Sequence, residues 1–345
     1  MDFIVKVENL SKVYEVTALR NLPGPRNLPS ALISYLIKGR HKRQLHVLKN
    51  ITFTIKRGDF VLLLGPNGSG KTTLLKILSG LMMPTSGLLQ ILGVQVTSDK
   101  DLFKVRKYVA YISSALTAGV LFDPLITVKQ NLELMADFLG INLDDVMKYV
   151  DLFDMKKYLD YRFGALSTGL AARILLSLNL AKPAEIYLFD EPTEALSPKG
   201  RSIFKNILRE LKNRGKTVIY ATHHPEEFSD IFDKLMILLE GKIMFYGDIN
   251  TFIDKVFKGK NTCLEVALFE ESSKNRFLSK INIDSSALEL SGNNVKIYCN
   301  ISNVNKLIYD LFKLLNIDNI KYIKVIPRSL EEAYLTYLTG EKYEK

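Results

Sequence analysis

The sequence predicts an α/β fold built on a mainly parallel sheet. Three observations carry this. An apolar run, Phe60-Val61-Leu62-Leu63-Leu64, leads into the glycine-rich stretch Gly65-Pro66-Asn67-Gly68-Ser69-Gly70-Lys71-Thr72-Thr73 and then into the helical pattern Leu74-Leu75-Lys76-Ile77-Leu78. Two more apolar runs, Ile186-Tyr187-Leu188-Phe189 and Thr217-Val218-Ile219-Tyr220, read as buried strands. Between them, Lys199 to Arg214 reads as an amphipathic helix. Strands alternating with helices in this way place helices on the faces of a parallel sheet.

The remaining elements follow in order. The segment from Met1 to about Tyr14 alternates as a strand. Residues 17–46 interrupt it: Pro23, Gly24, Pro25 and Pro29 come first, then Leu32, Ile33, Leu36 and Ile37 at helical spacing, then Lys38, Arg40, Lys42 and Arg43. A strand pattern resumes at Val47 and runs to Ile55. From about residue 102 to 165 the pattern is mostly helical, with Asn131 to Leu139 and Leu143 to Leu152 the clearer pieces. Composition shifts near residue 250, which divides the chain into a domain over 1–250 and a small α+β domain over 251–345. The latter offers strands at Cys263 to Leu268, Val295 to Cys299 and Ile320 to Ile326, and helices at Val304 to Leu315 and Leu330 to Leu338. No internal repeat and no low-complexity tract is visible.

A chain of 345 residues is long enough for a full core and suggests two domains. Hydrophobic residues make up 47% and charged residues 24%, the balance of a soluble globular protein. No apolar stretch approaches the length that crosses a bilayer. The start, Met1-Asp2-Phe3-Ile4-Val5-Lys6, is a charged alternation and not a signal peptide. The expectation is a cytoplasmic protein that reaches a membrane through a partner. The net charge of +10 suits nucleic acid, an anionic membrane surface or a solvated lysine-rich surface. No aromatic–basic platform stands out, so no specific nucleic acid is expected. Cys263 and Cys299 match no metal spacing and are expected as free thiols in strands.

The stretch Gly65 to Thr73 fits G-x-x-x-x-G-K-[ST] at every required position. Its glycines let the backbone curl so that successive N–H groups face an anion. The helix that follows adds its positive end. Lys71 supplies a point charge for the β- and γ-phosphates, and the Thr72 hydroxyl is placed to ligate Mg²⁺. The motif predicts a bound nucleoside triphosphate and says nothing of how its energy is used.

A second carboxylate site must hold the metal and activate water. The strand Ile186 to Phe189 leads into Asp190-Glu191, and acids so close to a core are costly without a task. Asp190 would hold Mg²⁺, directly or through water, and Glu191 would orient and deprotonate the attacking water. Ahead of it, Leu166-Ser167-Thr168-Gly169-Leu170 opens the helix Ala171 to Leu180. Ser167 and Gly169 there make an anion site or, more plainly, an ordinary helix cap. His223 follows the strand Thr217 to Tyr220 and could contact a γ-phosphate.

Together these motifs resemble the ATP-binding cassette (ABC) transporter ATPases over roughly residues 1–250. Five elements occur in family order: the aromatic Tyr14, the phosphate loop, the Leu166–Gly169 signature, the Asp190-Glu191 strand end and His223. The resemblance implies a phosphate-loop core with a helical signature subdomain at about 115–180, using ATP and Mg²⁺. It implies a head-to-tail dimer with a second ATPase subunit, like or unlike. Ser167 and Gly169 of one subunit would close over the γ-phosphate held by Lys71 of the other, and Tyr14 would stack on adenine. It implies a separate transmembrane permease, with this chain peripheral on the inner face of the cell membrane.

Three positions depart from the family pattern. At the end of the strand Val109-Ala110-Tyr111-Ile112 the family has glutamine; the matching residue here is Ser114, which would reach Mg²⁺ through water. Leu170 stands where glutamine is common. Ser197, in Ala195-Leu196-Ser197-Pro198, stands where aspartate usually ties the two sites together. Gly241-Lys242-Ile243 and Gly247-Asp248 resemble the end of the family core. The tail from Ser329 to Gly340 resembles that of export-type ATPases whose permease is separate, and the 17–46 insertion resembles one in several exporter ATPases. Thr127, a candidate N-cap, opens a segment like the one that receives the permease's coupling helix; Leu121, Phe122 and Leu125 are candidates to line that groove or to be core. The leading reading is an exporter ATPase subunit. The alternatives are a non-transport ABC ATPase acting on a protein or RNA partner, and a regulatory subunit that binds ATP without turnover.

Overall fold

The computed structural model describes residues 3–18, 41–113, 122–279, 287–315 and 317–340. The apolar helical spacing at 32–37, Leu121 and Ser114 lie outside the described residues. The chain divides into two compact units: Met1–His223 with Met236–Tyr246, and His224–Leu235 with Gly247–Lys345.

In chain order the elements are β1 (Phe3–Ala18), β2 (His41–Lys56), β3 (Phe60–Leu64), α1 (Lys71–Leu78), β4 (Ser86–Ile91), β5 (Val94–Gln95), α2 (Asp99–Arg106) and β6 (Val109–Ser113). Three helices follow, α3 (Val128–Leu139), α4 (Leu143–Leu152) and α5 (Thr168–Leu180), then β7 (Ile186–Asp190), α6 (Pro198–Asn213), β8 (Thr217–Thr222), β9 (Lys234–Leu239) and β10 (Lys242–Asp248).

The central sheet has six strands in the order β10-β9-β3-β8-β7-β6. β3, β8, β7 and β6 run parallel to one another. Every residue of β3, β7 and β8 is buried, as expected of strands covered on both faces. Parallel register puts Leu64 opposite Thr222, Asp190 opposite Ala221, and Ser113 opposite Asp190. The ends of these strands therefore meet at one rim, where open α/β sheets bind ligands.

A second sheet, β2-β1-β4-β5, contributes Val5, Val7, Leu10, Ile51 and Ile55 to the same core. Here the structure corrects the sequence reading. Strand character does not stop at Tyr14 and resume at Val47; pairing continues through Thr17↔Lys42 to Ala18↔His41. Backbone hydrogen bonds hold this ribbon where Glu15, Val16 and Arg43 are exposed, so no apolar alternation marks it. Within the mostly helical segment from 102 to 165, β6 forms where the sequence reading placed the strand Val109-Ala110-Tyr111-Ile112.

Helices α3, α4 and α5 form the helical subdomain. Val128, Leu132, Val146, Val150 and Ile174 are fully buried in it. Thr127 caps α3: its side chain accepts from Gln130 N, and the Gln130 side chain accepts from Thr127 N. Phe122 is core, its ring 4.7 Å from that of Phe163, whereas Leu125 is exposed.

The second unit carries α7 (Ile249–Val256), β11 (Thr262–Leu268), α8 (Glu271–Leu278), β12 (Leu288–Ser291), β13 (Asn294–Cys299), α9 (Ile301–Leu314), β14 (Ile320–Pro327) and α10 (Leu330–Thr339). Its sheet is antiparallel, in the order β12-β13-β11-β14. This β-α-β-β-α-β arrangement is ferredoxin-like. One sheet face, with Leu264, Val266, Val295 and Ile297, packs with Phe277 of α8 and Leu311 of α9. Cys263 and Cys299 are buried free thiols.

Candidate active site

The phosphate loop joins β3 to α1. Gly68 and Gly70 have φ of 81° and 108°, in the left-handed region that glycine adopts without strain. Gly65 is required for a different reason: a Cβ there would lie 2.3 Å from Leu238 O and 2.6 Å from Ser69 Oγ. Lys71 is 6% exposed; its Nζ donates to Gly65 O at 2.7 Å and stands 3.6 Å from Glu191 Oε1. Burial pushes its pKa down, opposed by the charges of Glu191 and Asp190.

A cavity of about 620 Å³ opens over the loop, lined by Asn67, Lys71, Thr72, Ser113, Asp190 and Glu191 among others. The strand ends thus bring together the loop, the acids and the end of β6. Asp190 is 8% exposed, and its Oδ2 accepts from the Tyr111 hydroxyl at 2.9 Å. Burial first, and then the Asp190 charge, raise the Tyr111 pKa. Glu191 has φ of 51°, a strained value for a non-glycine residue, and its N–H donates to Ala221 O at 3.0 Å. His223 Nδ1 stands 3.2 Å from Glu191 Oε1. Burial alone would raise the Glu191 pKa. Hydrogen bonds from Glu194 and His223 and the Lys71 charge outweigh it and hold Glu191 below its ordinary value. The Glu194 pKa is raised, first by that same hydrogen bond.

Other expected residues lie elsewhere. Tyr14 does not line the cavity; its hydroxyl donates to Met82 Sδ at 3.0 Å, and Lys12 Nζ sits 5.3 Å from its ring centre. Its cross-strand partner Leu45 lines the cavity instead. Ser167 caps α5, accepting from Leu170 N at 3.4 Å, and is exposed. Gly169 packs on the loop after the acids, where a Cβ would lie 2.9 Å from Ala195 O. Neither lines the cavity that holds Lys71. Ser197 caps α6, accepting from Gly200 N at 3.3 Å, and also accepts from Arg173 Nη2.

Sequence reasoning missed Tyr111, Ser113, Glu194 and Arg173. The spacing of two between Tyr111 and Ser113 puts both on one strand face, a signal that could have found the first. The partners of Glu194 and Arg173 are set by the folded loop 191–197 and leave no such signal.

Thr72 and Asp190 both line the cavity and offer oxygen donors, the type a hard divalent cation takes beside phosphates. The loop, the buried lysine and the acids at parallel strand ends define a phosphate-loop ATPase, an ATP-hydrolysing enzyme. The chain belongs to the ABC transporter family.

The ABC transporter family profile matches residues 48–194. The energy-coupling factor transporter ATP-binding protein EcfA1 of Fusobacterium nucleatum is 30% identical over 272 residues, covering 76% of this chain and 93% of the relative. The Nod factor export ATP-binding protein I of Rhizobium etli is 27% identical, covering 87% of this chain and 90% of the relative. Among solved structures, cbiO1 from Clostridium perfringens, part of an ABC transporter complex, superposes with a TM-score of 0.55 at 26% identity, covering 76% of this chain and 95% of that one. A dimeric ATP-binding cassette bound to ADP and Pi superposes with a TM-score of 0.57 at 24% identity, covering 71% and 98%, and shares the fold.

Proposed function

We propose that this chain is the ATP-driven subunit of an exporter, working on a separate membrane permease through ATP-dependent head-to-tail dimerisation. The observation that carries the dimer is the separation of Ser167 and Gly169 from the cavity lined by Lys71 and Glu191. One chain holds both halves of the chemistry and does not bring them together. A second subunit would supply Ser167 and Gly169 over the γ-phosphate.

Within one site each residue has a task. Loop N–H groups and Lys71 bind the β- and γ-phosphates, Lys71 exchanging the Gly65 carbonyl for phosphate oxygen. Thr72 and Asp190 would hold Mg²⁺, which supplies charge stabilisation on the phosphates when bound. Glu191, held charged, accepts a proton from the attacking water. His223 orients toward the γ-phosphate.

The helical subdomain offers the permease contact. Leu134 and Phe138 are one helical turn apart on α3 and are 60% and 79% exposed. Large exposed apolar side chains so placed fit an amphipathic helix of a partner. Export is supported by the resemblance of the Ser329–Gly340 tail and by the similarity to Nod factor export ATP-binding proteins. The chain would then sit in the cytoplasm against the inner face of the membrane. The test is the mass in solution of Glu191→Gln with ATP: a dimer is expected, and a persistent monomer removes the mechanism.

A further inference from the structure

His223 is the last residue of the first unit before the chain enters the second at His224. The segment from there to Leu235 is built into that unit: Phe228, Ile231 and Phe232 are buried. Glu226 Oε1 accepts from Glu331 N at 2.7 Å, across 105 positions of sequence. Glu331 is the second residue of α10, so its N–H is a first-turn donor with no acceptor inside the helix. A carboxylate is the acceptor that such a helix end favours. The helix also has a cap of its own, since Ser329 Oγ accepts from Glu332 N at 3.1 Å.

The start of α10 is a firm anchor. Leu330, Ala333 and Tyr334 are buried. The Tyr337 ring meets Phe252 of α7 edge-on, with centroids 5.4 Å apart. Arg328, just ahead of the helix, pairs with Glu332 and lies 3.3 Å from the centre of the Phe257 ring. All of these contacts fall within the second unit. Glu226 stands three residues past His223, about 10 Å of chain at full stretch. The anchored segment therefore begins beside a side chain whose Nδ1 is 3.2 Å from Glu191 Oε1.

We propose that Glu226 is a positioning residue for His223: by accepting from Glu331 N it holds the backbone that follows His223, and so fixes the imidazole for the γ-phosphate. This rests on the reading of His223 given under the proposed function. An acceptor is what the contact needs, so an amide replaces the carboxylate and a methyl does not. A cap that served α10 alone would have no link to His223.

The experiment is steady-state ATP hydrolysis by the full chain with Mg²⁺, comparing wild type with Glu226→Ala, Glu226→Gln, His223→Ala and the double variant Glu226→Ala/His223→Ala. His223→Ala is expected to lower kcat by about 10²-fold or more, the scale of a lost transition-state donor. Glu226→Ala is expected to lower kcat by about 5–30-fold, the scale of a misplaced group, with KM for ATP unchanged. Glu226→Gln is expected to stay within about twofold of wild type, its Oε1 still accepting. The double variant is expected to match His223→Ala within about twofold, because a residue that acts through His223 has nothing left to position. Wild-type kcat in Glu226→Ala overturns the inference, as does Gln falling with Ala, KM rising in place of the loss in kcat, or the two losses multiplying in the double variant. Each of those outcomes leaves the reading of His223 standing when His223→Ala itself is slow. Full turnover in His223→Ala overturns that reading and this inference with it.

Discussion

The Tyr111 hydroxyl donates to Asp190 Oδ2 at 2.9 Å, across the parallel pair β6–β7. It satisfies one oxygen of a nearly buried carboxylate. Tyr111→Phe removes that donor and leaves the acid short of a partner. The expected cost is about 1–3 kcal/mol of stability, read as a lower denaturation midpoint in urea without nucleotide.

The nearest atom to a Cβ at Gly65 is backbone, ahead of the Ser69 side chain. Its Cβ would lie 2.3 Å from Leu238 O, so Gly65→Ala must move either the loop or β9. The variant is expected to lose ATP binding by calorimetry and to melt at a lower temperature. Gly68→Ala is the control: its Cβ meets nothing within 4 Å, and its strain is only that of a φ of 81°.

Ser197 serves its own subunit. It caps α6 and accepts from Arg173 Nη2, while Arg173 Nε is buried without a partner among the described residues. Ser197→Ala removes both contacts and is expected to destabilise by about 1–2 kcal/mol. Ser197→Asp keeps the cap and offers the guanidinium two oxygens. Its melting temperature is expected to exceed that of wild type.

Glu191→Gln is expected to lower turnover by about 10²–10⁴-fold and to leave ATP affinity intact. Phosphate release and nucleotide titration together check this. Unchanged turnover removes Glu191 as the base.

Asp101 gives a pH test away from the site. It closes the capping box of α2, and hydrogen bonds first from Ser98, then from Lys104 and Thr97, hold its pKa far below the ordinary carboxylate range. A depressed folded-state pKa adds stability above the unfolded value, and that stability is lost as pH falls through the folded one. The stability difference between wild type and Asp101→Asn is therefore expected to be largest near neutrality and to vanish in strong acid.

Much of the active site is legible along the chain because its demands are local. Gly68 and Gly70 answer a backbone need, and Asp190-Glu191 breaks an apolar strand abruptly enough to be seen. Thr127 and Ser197 announce helix starts by the same local chemistry. Tyr111 is legible only as a residue on the same strand face as Ser113, and Arg173 not at all. Each acts on a residue far away in sequence, and neither contact leaves a local pattern. The extension of β1 and β2 beyond Tyr14 and Val47 is hidden likewise, because backbone pairing holds that ribbon without a buried face.

The sequence by itself determined that the chain binds a nucleoside triphosphate, that acids stand at a strand end, and that strand and helix alternate. These follow from short-range steric and hydrogen-bonding requirements that few residue types meet. Only the tertiary structure decided that Lys71, Asp190, Glu191 and Ser113 share one cavity while Ser167 and Gly169 lie outside it. That outcome depends on the parallel register of β3, β8, β7 and β6 and on the packing of loop 191–197 against α5. Register comes from burying whole strand faces against one another, and no single segment encodes it.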